Sequence, residues 1–437
     1  MAKDGAAPVS RRIESLDFVR GCALFGILLM NIVGMGLGPA YDNPTILGGD
    51  KGIDLQTWQF FNIGFEGTQR ALFSILFGAG IILFSSRAEA SGRPDHADLH
   101  FRRNLLLILF GLFNAWVLLW VGDILFYYGA TALVLYAFRK LPARTLLIVG
   151  LAAFALGAAW SGLEVSNKLQ AYQASQSAQA VPEAKRTAEQ KSAIESWQEQ
   201  SLNGPPPPAV AQMRKGMTSG YFSAQRTLAP IISHFQSWQL YRYFFDFFGM
   251  MMIGMALYKS GVLTLEARTR TYLAMMLGGY AVGLPMNIYE ARLIMANGFN
   301  SLGYAEASVT YDFSRLFMTM GHLGLIMLFL RAGILPWLRR SMAAVGRMAL
   351  TNYLTHSLVA LIIFILLGYW GALQRHQLYY IVGAVWLAQL IVSPIWLRYF
   401  HFGPVEWLWR ALTYGKKPPF RKSEPSEPVG AVPVAAE

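Results

Sequence analysis

The chain has 437 residues and a formal net charge of +12, but only 14% of its residues are charged while 54% are hydrophobic. A water-soluble domain carries about a quarter charged residues, so this composition excludes an ordinary soluble enzyme and makes lipid the expected solvent. The single cysteine, Cys22, excludes an intrachain disulfide and a thiolate-held metal.

Residues 1–15 form a polar start, and no small-residue cleavage site follows the first apolar run. That run is therefore expected to stay in the membrane as an anchor. A helix needs about 20 mostly apolar residues to cross a bilayer. Runs of this kind predict an all-α, polytopic membrane bundle of about ten transmembrane helices. Five lie in a first half at 16–163 (16–38, 58–85, 104–121, 123–138 and 144–163). Five lie in a second half at 240–400 (240–259, 269–288, 313–331, 346–369 and 378–399). Only Val-Gly-Asp separates the third run from the fourth, which predicts a tight antiparallel hairpin.

Between the halves, 164–239 reads as an extracytoplasmic loop. Its first part is rich in Ala, Gln, Lys and Glu, good helix formers, with an interruption at Pro182. "NGPPPP" predicts an extended polyproline spacer. Leu228, Ile231, Ile232, Phe235 and Trp238 then recur at helical spacing, predicting an amphipathic helix that lies on the membrane surface or caps the bundle. In the last segment, 401–437, Pro404 suits a helix start and Gly415 a helix end. Trp407, Leu408, Ala411 and Leu412 form one stripe, so a short interfacial helix is expected, with a disordered tail after Ser423.

Basic residues give the orientation. With a cytoplasmic N-terminus, the connections on that side hold twenty-three Lys and Arg, whereas the short connections opposite hold only Lys51, Arg292 and Arg375. This asymmetry puts both termini in the cytoplasm. It also assigns the positive charge to the bilayer, with no nucleic acid as partner.

Ionisable residues inside a membrane are expensive and are functional candidates by default. Asp17 and Arg20 share a helix face, with Ser15 as a candidate cap. Asn31 lies eleven residues beyond Arg20, three turns or about 16.5 Å along the same stripe. Glu66 and Arg70 are four apart in the second run. Asp123 is placed to cap the fourth helix, and Asp246 lies one turn from Arg242, its expected partner. Arg315 and His322 are seven apart, and Asn352, Thr355 and His356 form a ridge in an apolar helix. For proton chemistry His356 ranks first, because its ridge could orient the ring; His322 and Asp246 follow. Asp17, Arg20, Asn31, Glu66, Arg70, Asp123, Arg315 and Asn352 are the candidates for holding substrate. The sequence has no P-loop, no dinucleotide-binding glycine motif, no HExxH metal pattern and no nucleophile elbow, so no metal and no bound cofactor is expected.

The stretches "LDFVRGCALFGILLMN", "ALFSILFGAG", "GDILFYYGATAL", "GRMALTNYL" and "FGPVEWLWRALTY" resemble the signature blocks of the YeiB-like bacterial inner-membrane proteins, a family of unknown function. The resemblance covers about 13–160 and 240–420. More distantly, "LDFVRG" with a polar residue eleven positions after its Arg is similar to the first helix of the transmembrane acyltransferases, the acyltransferase-3 and heparan-glucosaminide acetyltransferase types. Asn31 stands where the acyltransferase-3 proteins typically carry a catalytic His, and the first outer loop here has no His. The resemblance implies a multi-pass protein of the bacterial inner membrane. It also implies a donor, acyl-CoA, whose phosphates would meet Arg20, and a small-molecule, lipid or glycan acceptor across the membrane. A transporter or flippase using the same polar groups is the alternative, which broken helices at the midplane and an internal repeat would favour.

Overall fold

The computed structural model describes residues 13–422, apart from 91, 93, 202 and 203. The expected disordered tail and the polar start before Ile13 lie outside the described residues. Among these the fold is all-helical, with no sheet and one isolated bridge, Phe400 to Arg421.

The helices of the first half are α1 (Glu14–Leu37), α2 (Gly52–Phe65), α3 (Thr68–Ala90), α4 (His96–Trp116), α5 (Leu125–Leu135) and α6 (Ala143–Gln179). A middle group follows: α7 (Ala188–Ser201), α8 (Pro207–Thr218) and α9 (Tyr221–Gln236). The second half contains α10 (Trp238–Lys259), α11 (Thr269–Ala296), α12 (Ser301–Ala332), α13 (Pro336–Arg347), α14 (Ala349–Ala360), α15 (Arg375–Tyr399) and α16 (Pro404–Tyr414). Six helical stretches among the described residues are long and apolar enough to cross a membrane, and a seventh, Leu125–Phe138, is apolar but shorter. The other three expected spans coincide in position with α4, α10 and α11.

Apolar composition is used in two ways. In α1 72% of the most apolar window is buried, against 22% in α6 and α15. So α1 is a core helix packed on all sides, and α6 and α15 turn apolar faces outward to lipid. Small residues allow the tightest crossing: a Cβ on Gly78 of α3 would strike the Met251 backbone of α10, and one on Gly254 would strike Ile75.

Four local expectations are revised. The run 58–85 is two helices, broken at Glu66 and Gly67. Gly67 has φ +68°, and a Cβ there would meet the Tyr311 hydroxyl and the Arg315 side chain, so only glycine fits. The run 346–369 continues beyond α14 as a π-helical segment, Leu361–Leu366, instead of one regular helix. The fifth span runs on as helix far past 163, because its Ala- and Gln-rich continuation favours helix until Pro182. The proline spacer is short, since Pro207 and Pro208 open α8.

Of the two placements open to α9, the structure shows the cap. Ala224, Leu228 and Ile232 are buried, the Tyr221 hydroxyl donates to Val117 O (2.9 Å), and Trp116 Nε1 donates to Gln236 Oε1 (2.7 Å). α9 thus covers the end of the α4–α5 hairpin. At the opposite face, α16 starts at Pro404 and stops at Gly415 as expected, with Leu408 and Leu412 exposed and Trp409 stacked on the Arg103 guanidinium at 4.3 Å. The start of α1 and all of α16 share this second face, called the near face below; α9 marks the far face.

Candidate functional site: two cavities joined at a tyrosine wall

Two polar cavities lie along α1. The far cavity has a volume of ≈1050 Å³ and is lined by Asn31, Glu66, Arg70, Asp123, Asp246 and Arg315 among others, so it gathers six of the eleven sequence-predicted site residues. The near cavity, ≈490 Å³, takes Asp17 and Arg20. The stripe read from Arg20 to Asn31 therefore exists, but it passes from one cavity to the other.

The floor of the far cavity is an ion network. Asp246 accepts from both terminal nitrogens of Arg315 (2.6 and 3.1 Å), and Arg70 approaches the same carboxylate at 3.4 Å. Arg315, only 2% exposed, also binds Asp312 one turn away at 2.9 Å. The expected partner, Arg242, instead forks onto Glu164 of α6 (2.9 Å) and the Ser161 hydroxyl (2.8 Å). The packing of α3, α10 and α12 supplies Asp246 with two other guanidinium groups, and helical spacing within α10 could not show that. Glu66, at the break between α2 and α3, is held by the hydroxyls of Tyr41 (3.0 Å) and Tyr311 (3.5 Å), not by Arg70.

In the near cavity Arg20 binds Asp17 at 2.9 Å. Ser15 does not cap α1: the helix starts at Glu14, and the Ser15 hydroxyl donates to Leu263 O at 2.8 Å. Arg87, Arg103, Arg347 and Arg410 line the same cavity, so five arginines face two acids, Asp17 and Glu406. Glu406 accepts from the Leu350 and Thr351 amides at the start of α14 (2.7 and 3.0 Å), the favoured place for an anion. Burial pushes the Glu406 carboxyl up from its usual range, and the Thr351 hydroxyl and these amides oppose that rise.

Between the cavities stand two tyrosines, both about fully buried, whose rings line the near side. The Tyr128 hydroxyl donates to Arg70 O (3.1 Å) and lies 3.0 Å from the Ser74 hydroxyl. The Tyr353 hydroxyl accepts from the Ile124 amide (3.3 Å) and donates to Asp123 Oδ1 (3.5 Å). Asp123 caps α5 as expected, accepting from Phe126 N (2.9 Å), and also from Asn114 Nδ2 (2.8 Å). Its carboxylate is the polar contact between the far cavity and the wall, and Phe247 of the same cavity packs edge-on against the Tyr128 ring at 5.5 Å.

The remaining candidates lie elsewhere. His356 Nε2 meets Gln389 Oε1 (3.2 Å), and Asn352 donates to Val345 O (3.1 Å) and the Ser393 hydroxyl (3.2 Å), both in the seam between α14 and α15. His322 lies between the Tyr280 hydroxyl (2.9 Å) and Gly64 O (2.8 Å), and Arg315, two turns earlier, points to Asp246 instead. None of the three lines either cavity. Among the described residues no group of three or more His, Cys, Asp or Glu could hold a metal ion. Sequence reasoning missed Tyr41, Tyr311, Asp312, Tyr353 and, beyond Arg20, the near-cavity arginines Arg87, Arg103, Arg347 and Arg410. Asp312, three residues before Arg315, carries a usable signal; Arg87, Arg103, Arg347 and Arg410 read from sequence only as topology markers.

These features define a polytopic helical membrane protein with a basic cavity at one face and an acidic one at the other. Comparison with known proteins gives the family. A model described as "Protein of unknown function (DUF418)" matches residues 257–416. The uncharacterized protein YeiB of Escherichia coli is 32% identical over 415 residues, covering 92% of this chain and 96% of that one. The uncharacterized protein YxaH of Bacillus subtilis is 29% identical over 434 residues, covering 94% and 97%. An uncharacterized 39.9 kDa protein of Bacillus acidopullulyticus is 24% identical over 411 residues, covering 94% and 96%. No solved structure matches the chain. The chain belongs to the YeiB-like DUF418 family.

Proposed function

We propose that this is an integral-membrane acyltransferase of the bacterial inner membrane, with its near face in the cytoplasm. The observation that carries the reading is the meeting of an arginine-rich cavity and an acid-rich cavity at the Tyr353–Asp123 contact. Guanidinium groups match phosphate oxygens in geometry and charge, so the near cavity suits the nucleotide end of an acyl-CoA. Its thioester arm would lie against Tyr128 and Tyr353, and the acceptor would enter from the far cavity. The acceptor's hydroxyl or amine attacks the thioester carbonyl; the new C–O or C–N bond forms and the C–S bond breaks. The acceptor's proton passes to the Asp123 carboxylate and from there to the departing sulfur, with the Tyr353 hydroxyl orienting Asp123. Asp246, the carboxylate named from sequence for proton chemistry, is engaged by two arginines and serves to hold the floor.

The test uses the purified full chain in lipid nanodiscs with acetyl-CoA. Saturable binding and slow release of free thiol are expected, with release reduced about 100-fold in Asp123→Asn, the scale of general acid–base help. Asparagine can still cap α5, so the variant should fold. Neither binding nor thiol release from wild type would sink the proposal. The break at Glu66 and Gly67, which lines the far cavity, favours a second reading as a transporter of a small anion or lipid-like substrate. Uptake into sealed proteoliposomes without thioester cleavage would select it.

A further inference from the structure

The far cavity holds a charge imbalance that its ion network leaves standing. Arg70, Arg242 and Arg315 are matched by Asp246, Glu164 and Asp312, which leaves Lys168 as the further cation on the lining among the described residues. Glu66, half-buried, and Glu290, buried, line the same cavity with no ion pair among the described residues; Asp42 lines it too but is exposed. Glu66 is held by two tyrosine hydroxyls and Glu290 by the Thr310 hydroxyl at 2.7 Å. Carboxylates drawn out of water with only neutral donors are costly, and a ligand's positive charge would relieve that cost. Tyr41, Tyr304 and Tyr311 surround this end of the cavity, and phenol ring faces attract cations. An independent sign comes from Ser357 of α14. Its side chain is 1% exposed and lines the same cavity, yet its hydroxyl has no hydrogen-bond partner among the described residues. A buried hydroxyl on a cavity wall calls for a partner, and a polar atom of a ligand would supply one.

We propose that the far cavity binds a small, hydroxylated organic cation, its ammonium held by Glu66 between Tyr41 and Tyr311 and a hydroxyl meeting Ser357. The inference rests on the transferase reading only in making this cation the acceptor; binding itself does not require acyl transfer.

The probe pair is N-methylglucamine and sorbitol, two polyols that differ in the ammonium group. Thermal unfolding of the full chain in nanodiscs is followed against each. N-methylglucamine should raise the midpoint saturably, and sorbitol at equal concentration should not. Glu66→Gln should raise the half-saturating concentration about tenfold, the scale of one charge-assisted hydrogen bond. If that variant does not fold, the comparison of the two polyols on the wild-type chain decides alone. Equal shifts from both polyols, no shift from either, or unchanged half-saturation in the folded carboxamide variant would overturn the inference. Acetyl-CoA binding is measured in parallel. Thioester binding without amine binding removes the cation site and leaves the transferase; amine binding without thioester binding does the reverse.

Discussion

The far and near cavities lie along one helix, α1, and differ in how their charges are settled. In the far cavity the arginines are consumed internally: Arg315 binds Asp246 and Asp312, Arg70 shares Asp246 and Arg242 binds Glu164, with Lys168 the further cation on the lining. Its spare groups are acids and tyrosine hydroxyls. In the near cavity five arginines face two acids, and two of the arginines, Arg103 and Arg410, rest on aromatic rings of the surface helix region. A guanidinium that is locked in an internal salt bridge holds helices together. One that rests on a ring keeps its N–H groups available to a phosphate. Residue type alone therefore does not separate a structural arginine from a recognition arginine.

The sharpest break of this contrast is predicted at Arg315. Arg315→Ala leaves the Asp246 carboxylate buried with one distant partner, which should cost about 3–5 kcal/mol, the usual penalty for removing one member of a buried pair. Arg103→Ala in the near cavity removes a stacking contact of about 1 kcal/mol. Thermal unfolding of both variants in the same nanodiscs measures the difference. Equal destabilisation would show that the two cavities do not divide their arginines as described.

The wall between the cavities comes next. Tyr353→Phe keeps the ring and removes the hydroxyl that reaches Asp123 and the Ile124 amide. Thiol release from acetyl-CoA is expected to fall about tenfold or more with donor affinity unchanged, since the change touches proton handling and not the arginines. A matching loss of donor affinity would move Tyr353 from the reacting end to the donor's binding surface.

Within the near cavity, Arg347→Ala and Arg20→Ala should each weaken acetyl-CoA binding about tenfold, the scale of a charge-assisted contact. Arg20→Lys should recover only part of it, because an ammonium has no planar fork. Calorimetric titration at two salt concentrations checks this, and Glu66→Gln in the far cavity should leave donor binding as it is. Unchanged binding in Arg20→Ala would reduce that residue to its pair with Asp17.

Much of the fold was legible because it depends on short-range pattern. Apolar runs mark the helices, and Pro404 and Gly415 bound α16. The site was legible only where one helix carries the whole relation, as in Asp17 with Arg20 or Asp123 capping α5. It was illegible where two or three helices meet. Asp246 finds Arg70 and Arg315 across 176 and 69 positions of chain, and Glu66 finds Tyr311 across 245. Those contacts follow from glycine-mediated crossings and from the break at Gly67, and periodicity within one helix carries no trace of them. The same limit applies to the Asn352–Thr355–His356 ridge, whose His356 and Asn352 lie in the α14–α15 seam and line neither cavity.

That ridge supplies the smallest predicted effect. His356 is 3% exposed, and its Nε2 faces Gln389 Oε1, which places it to donate within a seam with Asn352, Gln389 and Ser393. Gln389 Nε2 in turn donates to Asn352 O at 3.2 Å, which closes the network between α14 and α15 without a group from either cavity. A glutamine at 356 can still offer an N–H to Gln389, so His356→Gln should cost about 1 kcal/mol or less of stability, the net worth of one rearranged hydrogen bond. Thiol release should stay within about twofold of wild type, as for substitutions away from a reacting group. A loss of about 100-fold in a variant that unfolds at the wild-type temperature would mean that the proton passes through the α14–α15 seam. The division of roles between the two cavities would then have to give way to a third site behind α14.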